Sequence, residues 1–212
     1  MMFPRRFWIS SLLLASALNS GCVAPLLVVG GMAAGGVMVN ADRRSAGTQL
    51  EDESIELKAS GRVRTFMNGR SYHLNVTSFN RVVLITGEVM TAPERDAVAE
   101  LVASVEQVRS VINESVVGFP SSLGERSQDA LLTTRVRAAL LESQNVNPGA
   151  FKVVTERGVV YLMGLATQAE ADRAVALARN VSGVRKVVQA VEILSTDDVL
   201  NLRLGSGQTQ NP

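Results

Sequence analysis

The chain has 212 residues, with 21 Lys and Arg against 20 Asp and Glu. That length allows one or two domains, and the near-balance of charge excludes the basic excess of a nucleic-acid-binding domain. Aromatic residues make up only 4%, so any core must be aliphatic. One Cys and one His exclude an intramolecular disulfide. They also leave too few preferred ligands for zinc, which takes about four; neither metal nor cofactor is expected.

Residues 1–21 read as a secretory signal peptide. Arg5 and Arg6 form a positive start, and Phe7 to Leu18 is an apolar run of twelve residues, too short to span a bilayer, which takes about 20. The cleavage region Leu18-Asn19-Ser20-Gly21-Cys22 resembles a bacterial lipobox, in which small residues precede a cysteine that is diacylated and becomes the new N-terminus. Asn19 departs from that pattern, where an apolar residue is usual. The alternative is a plain signal peptide followed by a free Cys. Acylation anchors a chain because each buried CH₂ contributes roughly 0.8 kcal/mol and several chains add up. Val23 rather than Asp follows Cys22, which by resemblance to lipoprotein sorting implies the outer membrane.

Residues 22–49 are expected to be the lipidated Cys and a flexible tether. Gly30, Gly31, Gly35 and Gly36 each lower helix propensity by about 1 kcal/mol relative to Ala, which argues against a transmembrane helix there. Their spacing forms no GxGxxG phosphate-binding fingerprint.

A duplication follows. Arg81 to Gly87 echoes Gly158 to Gly164 at an offset of 77, Val105 to Val111 echoes Val181 to Val187 at 76, and Arg62-Val63-Arg64 echoes Arg135-Val136-Arg137 at 73. Each copy reads helix, strand, strand, helix, strand. In the first, the spacing predicts a helix over 51–67, strands over 72–79 and 81–87, a helix over 92–104 and a strand over 108–117. In the second, Leu132, Val136, Ala139 and Leu140 recur at helical spacing. Phe151 to Glu156 and Val159 to Met163 flank a hairpin at Arg157-Gly158. Ala171, Ala174, Val175, Ala178 and Val181 make a second apolar stripe that Ser182-Gly183 ends, and Val184 to Leu194 is the last strand. The predicted fold is α+β: two tandem αββαβ two-layer sandwiches at 50–117 and 127–195, joined by a linker over 118–126 and followed by a disordered tail over 196–212.

This arrangement resembles the BON domain, on Val159-Val160-Tyr161-Leu162-Met163-Gly164 before a helix and Val181-Ser182-Gly183-Val184 after it. Two such repeats behind a lipobox, preceded by Asp42-Arg43-Arg44-Ser45-Ala46-Gly47-Thr48-Gln49, resemble the dual-BON outer-membrane lipoproteins. Departures are Asn19, Arg81 where Gly is usual, and Glu106-Gln107 in place of Ser-Gly. The resemblance implies binding to anionic phospholipid, on the periplasmic face of the outer membrane. It also implies a part in envelope integrity, cell division and outer-membrane protein assembly.

Charge separates the two copies. Residues 50–117 carry 7 basic and 10 acidic side chains, a net of −3, and residues 127–194 carry 8 and 6, a net of +2. An anionic surface attracts each nearby Lys or Arg by roughly 1 kcal/mol, so the second copy is the expected lipid partner. Aligning Val63-Arg64 with Val136-Arg137 sets Lys58 opposite Leu131. By the resemblance, the opening helix of the second copy is the membrane-contacting element, which points to Leu131, Thr134, Arg135, Arg137 and Ala138; charge adds Lys152 and Arg157 from the hairpin. The alternative is that Leu131 widens the core stripe and the arginines are solvated. A competing role is a protein-interaction module for an outer-membrane assembly or cell-wall remodelling partner.

No catalytic constellation stands out. Glu94, Asp96 and Glu100 fit an exposed helix face, and Ser121-Ser122 and Thr133-Thr134 lack a neighbouring His to activate them. His73 opens a strand.

Overall fold

The structure is a computed structural model and describes residues 42–205, with side chains through residue 202. The signal peptide, Cys22 and the tether as far as residue 41 lie outside the described residues, as do residues 206–212.

The first module runs α1 (Ala46–Phe66), β1 (Tyr72–Phe79), β2 (Val82–Val89), α2 (Ala92–Ala103), β3 (Ser110–Asn113) and β4 (Val116–Val117). The second runs α3 (Leu123–Glu142), a short 3₁₀ turn, β5 (Phe151–Glu156), β6 (Val159–Ala166), α4 (Gln168–Arg179) and β7 (Lys186–Ile193), with α5 (Thr196–Gly205) after it. In each module the hairpin pairs antiparallel and the last strand joins the central one in parallel, giving the orders β1-β2-β3 and β5-β6-β7. Both modules are therefore αββαβ sandwiches of helices on a small sheet.

Both hairpins close through turns whose two central residues have positive φ: Asn80 at 51° and Arg81 at 63°, Arg157 at 51° and Gly158 at 72°. That is the type I′ geometry whose twist suits paired strands. A buried helix carboxylate holds each turn. Asp52 accepts from the Asn80 and Arg81 amides, both at 2.8 Å, and Asp129 accepts from the Arg157 and Gly158 amides at 2.7 and 2.8 Å. Burying a carboxylate is costly unless it is hydrogen-bonded, so these contacts fix the helix register on the sheet.

That register corrects one sequence expectation. Buried Asp52, Ile55, Ala59 and Val63 correspond to buried Asp129, Leu132, Val136 and Leu140, an offset of 77 like the strands. The Arg-Val-Arg match at 73 is one helical turn out. Ser54, not Lys58, stands opposite Leu131, and Lys58 corresponds to Arg135.

The central strands are buried on both faces. On β2, Val83, Ile85 and Val89 pack under the helices of the first module; on β6, Val160, Leu162 and Ala166 do the same in the second. The opposite faces meet each other: Phe79 and Leu84 from the first sheet pack with Tyr161, Met163 and Leu165 from the second. Small domains bury too little surface to be stable alone, and this shared layer gives both modules a second core. Asp42-Arg43-Arg44 also joins them. Arg43 donates to Glu170 at 3.0 and 2.7 Å and to the Leu165 carbonyl at 2.8 Å, across to the second module. Arg44 pairs with Asp42 and Asp52 and lies 4.0 Å over the Phe79 ring.

Gly87 has φ +109°, and a Cβ there would sit 2.0 Å from the His73 carbonyl. Only glycine fits where β1 crosses so close.

Four boundaries differ from the sequence reading. The helix α1 starts at Ala46, within the stretch assigned to the tether, because Ser45 caps it by accepting from the Thr48 amide. The last strand of the first module is broken at Glu114-Ser115, where the Asn113 side chain takes the Ser115 amide and hydroxyl. This local bond takes the Ser115 amide out of the ladder, while the Glu114 amide still donates to the Ile85 carbonyl at 2.9 Å. The expected linker is shorter because Ser122 and Glu125 form a capping box that starts α3 at Leu123. The segment 196–205, expected to be disordered, is the helix α5. Ser195 and Asp198 cap it reciprocally, and Val199 is buried.

Candidate functional site

The helix α3 carries two faces set by the helical repeat of about 100° per residue. Asp129, Leu132, Val136 and Leu140 point into the module. On the opposite side Leu123, Leu131 and Leu141 are 79%, 59% and 65% exposed. Ala138 lies between the last two and is exposed. Leu131 thus belongs to an outward row, not to the core stripe.

Polar groups flank this row. Arg135, one turn after Leu131, is exposed and makes no hydrogen bond or ion pair with any described residue. Arg137 is exposed and donates to the Val153 carbonyl at 3.2 Å. Thr134 is exposed and spends its hydroxyl on the Ala130 carbonyl at 3.1 Å. Arg157, at the hairpin turn, is exposed with its guanidinium 3.5 Å from Glu88. Lys152 stands apart from the others. Its ammonium is 2.7 Å from Glu56 and 3.2 Å from the Ser78 carbonyl, so it ties the second module to the first and is not on the α3 face. Leu123 and Leu141 were not among the expected residues. Starting the helix at the Ser122-x-x-Glu125 box, and following its period outward as well as inward, reveals both.

Between the modules lies a second cluster of titratable groups. Glu88 is fully buried, accepting from the Ser121 amide at 3.1 Å. Glu156 accepts from Asn75 at 2.8 Å and lies 3.7 Å from His73. Burial pushes the Glu156 carboxyl up to about 7, against the Asn75 bond and with help from the Glu88 and Asp129 charges. Burial, then the nearby Arg126 charge, lowers His73. Several of the other polar residues considered in the sequence have structural partners. Glu94 completes a capping box with Thr91, and Thr133 bonds Thr155 at 2.8 Å. Among the described residues no helix is long and apolar enough to cross a membrane.

Comparison with known proteins agrees with this architecture. Two stretches, residues 55–118 and 128–195, match the BON domain. The chain is 34% identical over 184 residues to Outer membrane lipoprotein DolP of Haemophilus influenzae, covering 86% of this chain and 94% of that protein. It is 34% identical over 151 residues to the 21 kDa hemolysin of Actinobacillus pleuropneumoniae, covering 71% and 78%. It is 28% identical over 155 residues to Osmotically-inducible protein Y of Escherichia coli, covering 72% and 77%. The likeness to the first supports an outer-membrane lipoprotein. With two matched repeats over more than half its length and a near-full-length relative, the chain belongs to the BON family, as a dual-domain, DolP-like member.

Proposed function

We propose that the chain is acylated at Cys22, sits on the periplasmic face of the outer membrane, and docks its second BON domain on anionic phospholipid through the outward face of α3. In this role it supports envelope integrity and division-associated maintenance by binding rather than by catalysis. The observation that carries the reading is the outward row Leu131, Ala138 and Leu141 beside the unengaged guanidinium of Arg135. Taking a Leu side chain out of water gives roughly 1.5–3 kcal/mol, and an Arg near an anionic surface adds roughly 1 kcal/mol. Each contact is weak, but an acyl anchor at the other end of a tether makes docking intramolecular and raises its effective concentration.

Vesicle flotation tests this with the full mature chain carrying Cys22→Ser. The expected result is binding to phosphatidylglycerol or cardiolipin vesicles that falls with salt, and falls more than about tenfold in Leu131→Glu, which loses the apolar contact and adds repulsion. Absence of binding to any anionic vesicle by a folded chain overturns it. A second reading, a protein-interaction module, draws on the first domain, where Leu57, Phe66 and Leu101 line an open groove of about 520 Å³; it gains if flotation fails.

A further inference from the structure

A cleft of about 400 Å³ opens beside Leu131, between the first turns of α3, the Arg157-Gly158 turn and the loop before β7. Arg135, Arg157 and Arg185 line it from three separate elements. Resting on the membrane reading above, we infer that this cleft is a discrete site for a phosphate ester, such as a phospholipid headgroup, held by these three guanidinium groups.

The argument starts from where each charge is spent. Two carboxylates share the cleft, and both are already engaged. Glu125 takes the Ser122 amide and hydroxyl at 2.7 and 2.8 Å, and Asp129 takes the two turn amides. Two of the three arginines have no carboxylate partner among the described residues. Arg135 has no partner among the described residues. Among the described residues Arg185 donates only to the Arg157 carbonyl, at 3.3 Å, and Arg157 pairs with buried Glu88 at 3.5 Å, keeping about half its side chain exposed. Guanidinium forks suit phosphate oxygens in pairs, and the cleft volume falls within the range of small-ligand sites.

Two glycines shape the cleft. A Cβ on Gly158 would lie 2.7 Å from Arg185 Cδ, so its absence lets the Arg185 side chain cross the turn. Gly183, at φ +100°, lines the cleft with backbone and faces Leu132.

The first module shows the same corner closed. Arg185 and Arg109 are equivalent, because their amides donate to the turn carbonyls of Gly158 and Arg81, each at 2.8 Å. Arg109 is paired with Glu192, and Asn80, at the place of Arg157, donates to Glu192 at 3.0 Å. Lys58, at the place of Arg135, pairs with Glu106 at 3.5 Å. Glu106-Gln107 replace Ser182-Gly183, so the departure from the usual Ser-Gly brings in the acid that occupies Lys58. In the second corner, among the described residues, Arg135 and Arg185 have no carboxylate partner, and Arg157 meets only Glu88 of the first module, at 3.5 Å. Leu131 on its rim directs a lipid headgroup's acyl chains onto the exposed row, which favours a lipid over a free phosphate ester.

Amide NMR titration of the full mature Cys22→Ser chain tests the site, with two probes: glycerol 1-phosphate, and dihexanoyl phosphatidylglycerol below its micelle concentration. Saturable shifts at Gly158 and Gly183, stronger for the lipid, are expected. Arg185→Ala weakens them about tenfold, as loss of a charged hydrogen bond does, while Arg179→Ala leaves them unchanged. Equal binding of both probes keeps the site and assigns it to free phosphate esters. No saturable shift at millimolar probe overturns it. Arg135→Ala is the second variant should Arg185→Ala lower the melting temperature. Flotation run in parallel separates the two ideas: vesicle binding without probe shifts ends the cleft and leaves the membrane reading, and probe shifts without vesicle binding do the reverse.

Discussion

The two modules share a skeleton and differ in what their outward helices and corners leave free. Both pin a type I′ turn with a buried aspartate, both bury the central strand on two faces, and both start their second helix with a Thr-x-x-Glu capping box. In the first, basic groups at the corner are paired with Glu106 and Glu192; in the second, the matching guanidiniums meet solvent. Duplication therefore preserved the interior and let the surface charges diverge: the first corner is closed by Glu106 of its own module and Glu192 of the second, while Arg135 and Arg185 of the second corner have no carboxylate partner among the described residues.

The largest expected effects test the shared interior. Asp52 accepts from two turn amides, from Ser78 and from Arg44, whereas among the described residues Asp129 accepts from two turn amides alone. Removing one side of a buried ion pair costs about 3–5 kcal/mol, and leaving buried amides unsatisfied costs about 1–3 kcal/mol each. Urea melts should show Asp52→Ala as the more damaging change, by about 3–5 kcal/mol, with Asp129→Ala lower. Equal losses would remove the distinction between the two turns.

The interface gives a pH effect next in size. Glu156 is held at about 7 against an ordinary 4.5, so the folded chain binds its proton more tightly than the unfolded chain. Stability from this group is present below pH 4.5 and is lost as pH rises through about 7. His73 acts in the opposite sense: its lowered pKa makes protonation below 6.5 cost stability as pH falls. Glu156→Gln keeps an acceptor for Asn75 and removes only the first slope. Its melting temperature relative to the parent should climb between pH 4.5 and 7. A flat difference across that window rejects the assignment.

Membrane docking comes next. Leu131→Glu should lower anionic-vesicle binding more than about tenfold, and Leu57→Glu, on the matching helix of the first module, should leave it unchanged. If Leu57→Glu abolishes flotation instead, the roles of the two modules are exchanged.

Much of this fold was legible because its signals are backbone signals. The strand repeats at 77, the turn pairs Asn80-Arg81 and Arg157-Gly158, and the apolar periods all follow from φ preferences and burial. The match of Arg62-Val63-Arg64 to Arg135-Val136-Arg137 points to the wrong helix register because it rests mainly on exposed positions, where identity is free to drift into coincidence. Asp52 and Asp129, at the same offset as the strands, held the true register. They are hard to recognise in sequence, since an acidic residue in an amphipathic helix ordinarily faces water. The layer between the sheets was hidden for a similar reason. Val159 to Met163 is an unbroken apolar run, a pattern that fits burial on both faces but does not say what covers the second.

The smallest expected effect concerns Lys152, which charge alone made a lipid-binding residue. Its ammonium is committed to Glu56 and the Ser78 carbonyl. Both members of the pair are about one-third exposed, and partly exposed ion pairs contribute roughly 0–1 kcal/mol. Lys152→Ala should thus cost at most about 1 kcal/mol in urea melts and leave flotation on phosphatidylglycerol unchanged, whereas Arg135→Ala should weaken flotation with no change in melting. A drop in flotation for Lys152→Ala matching that of Arg135→Ala would show net charge, not position on α3, to be what the bilayer reads. The cleft and the leucine row would then lose their claim to set the docking geometry.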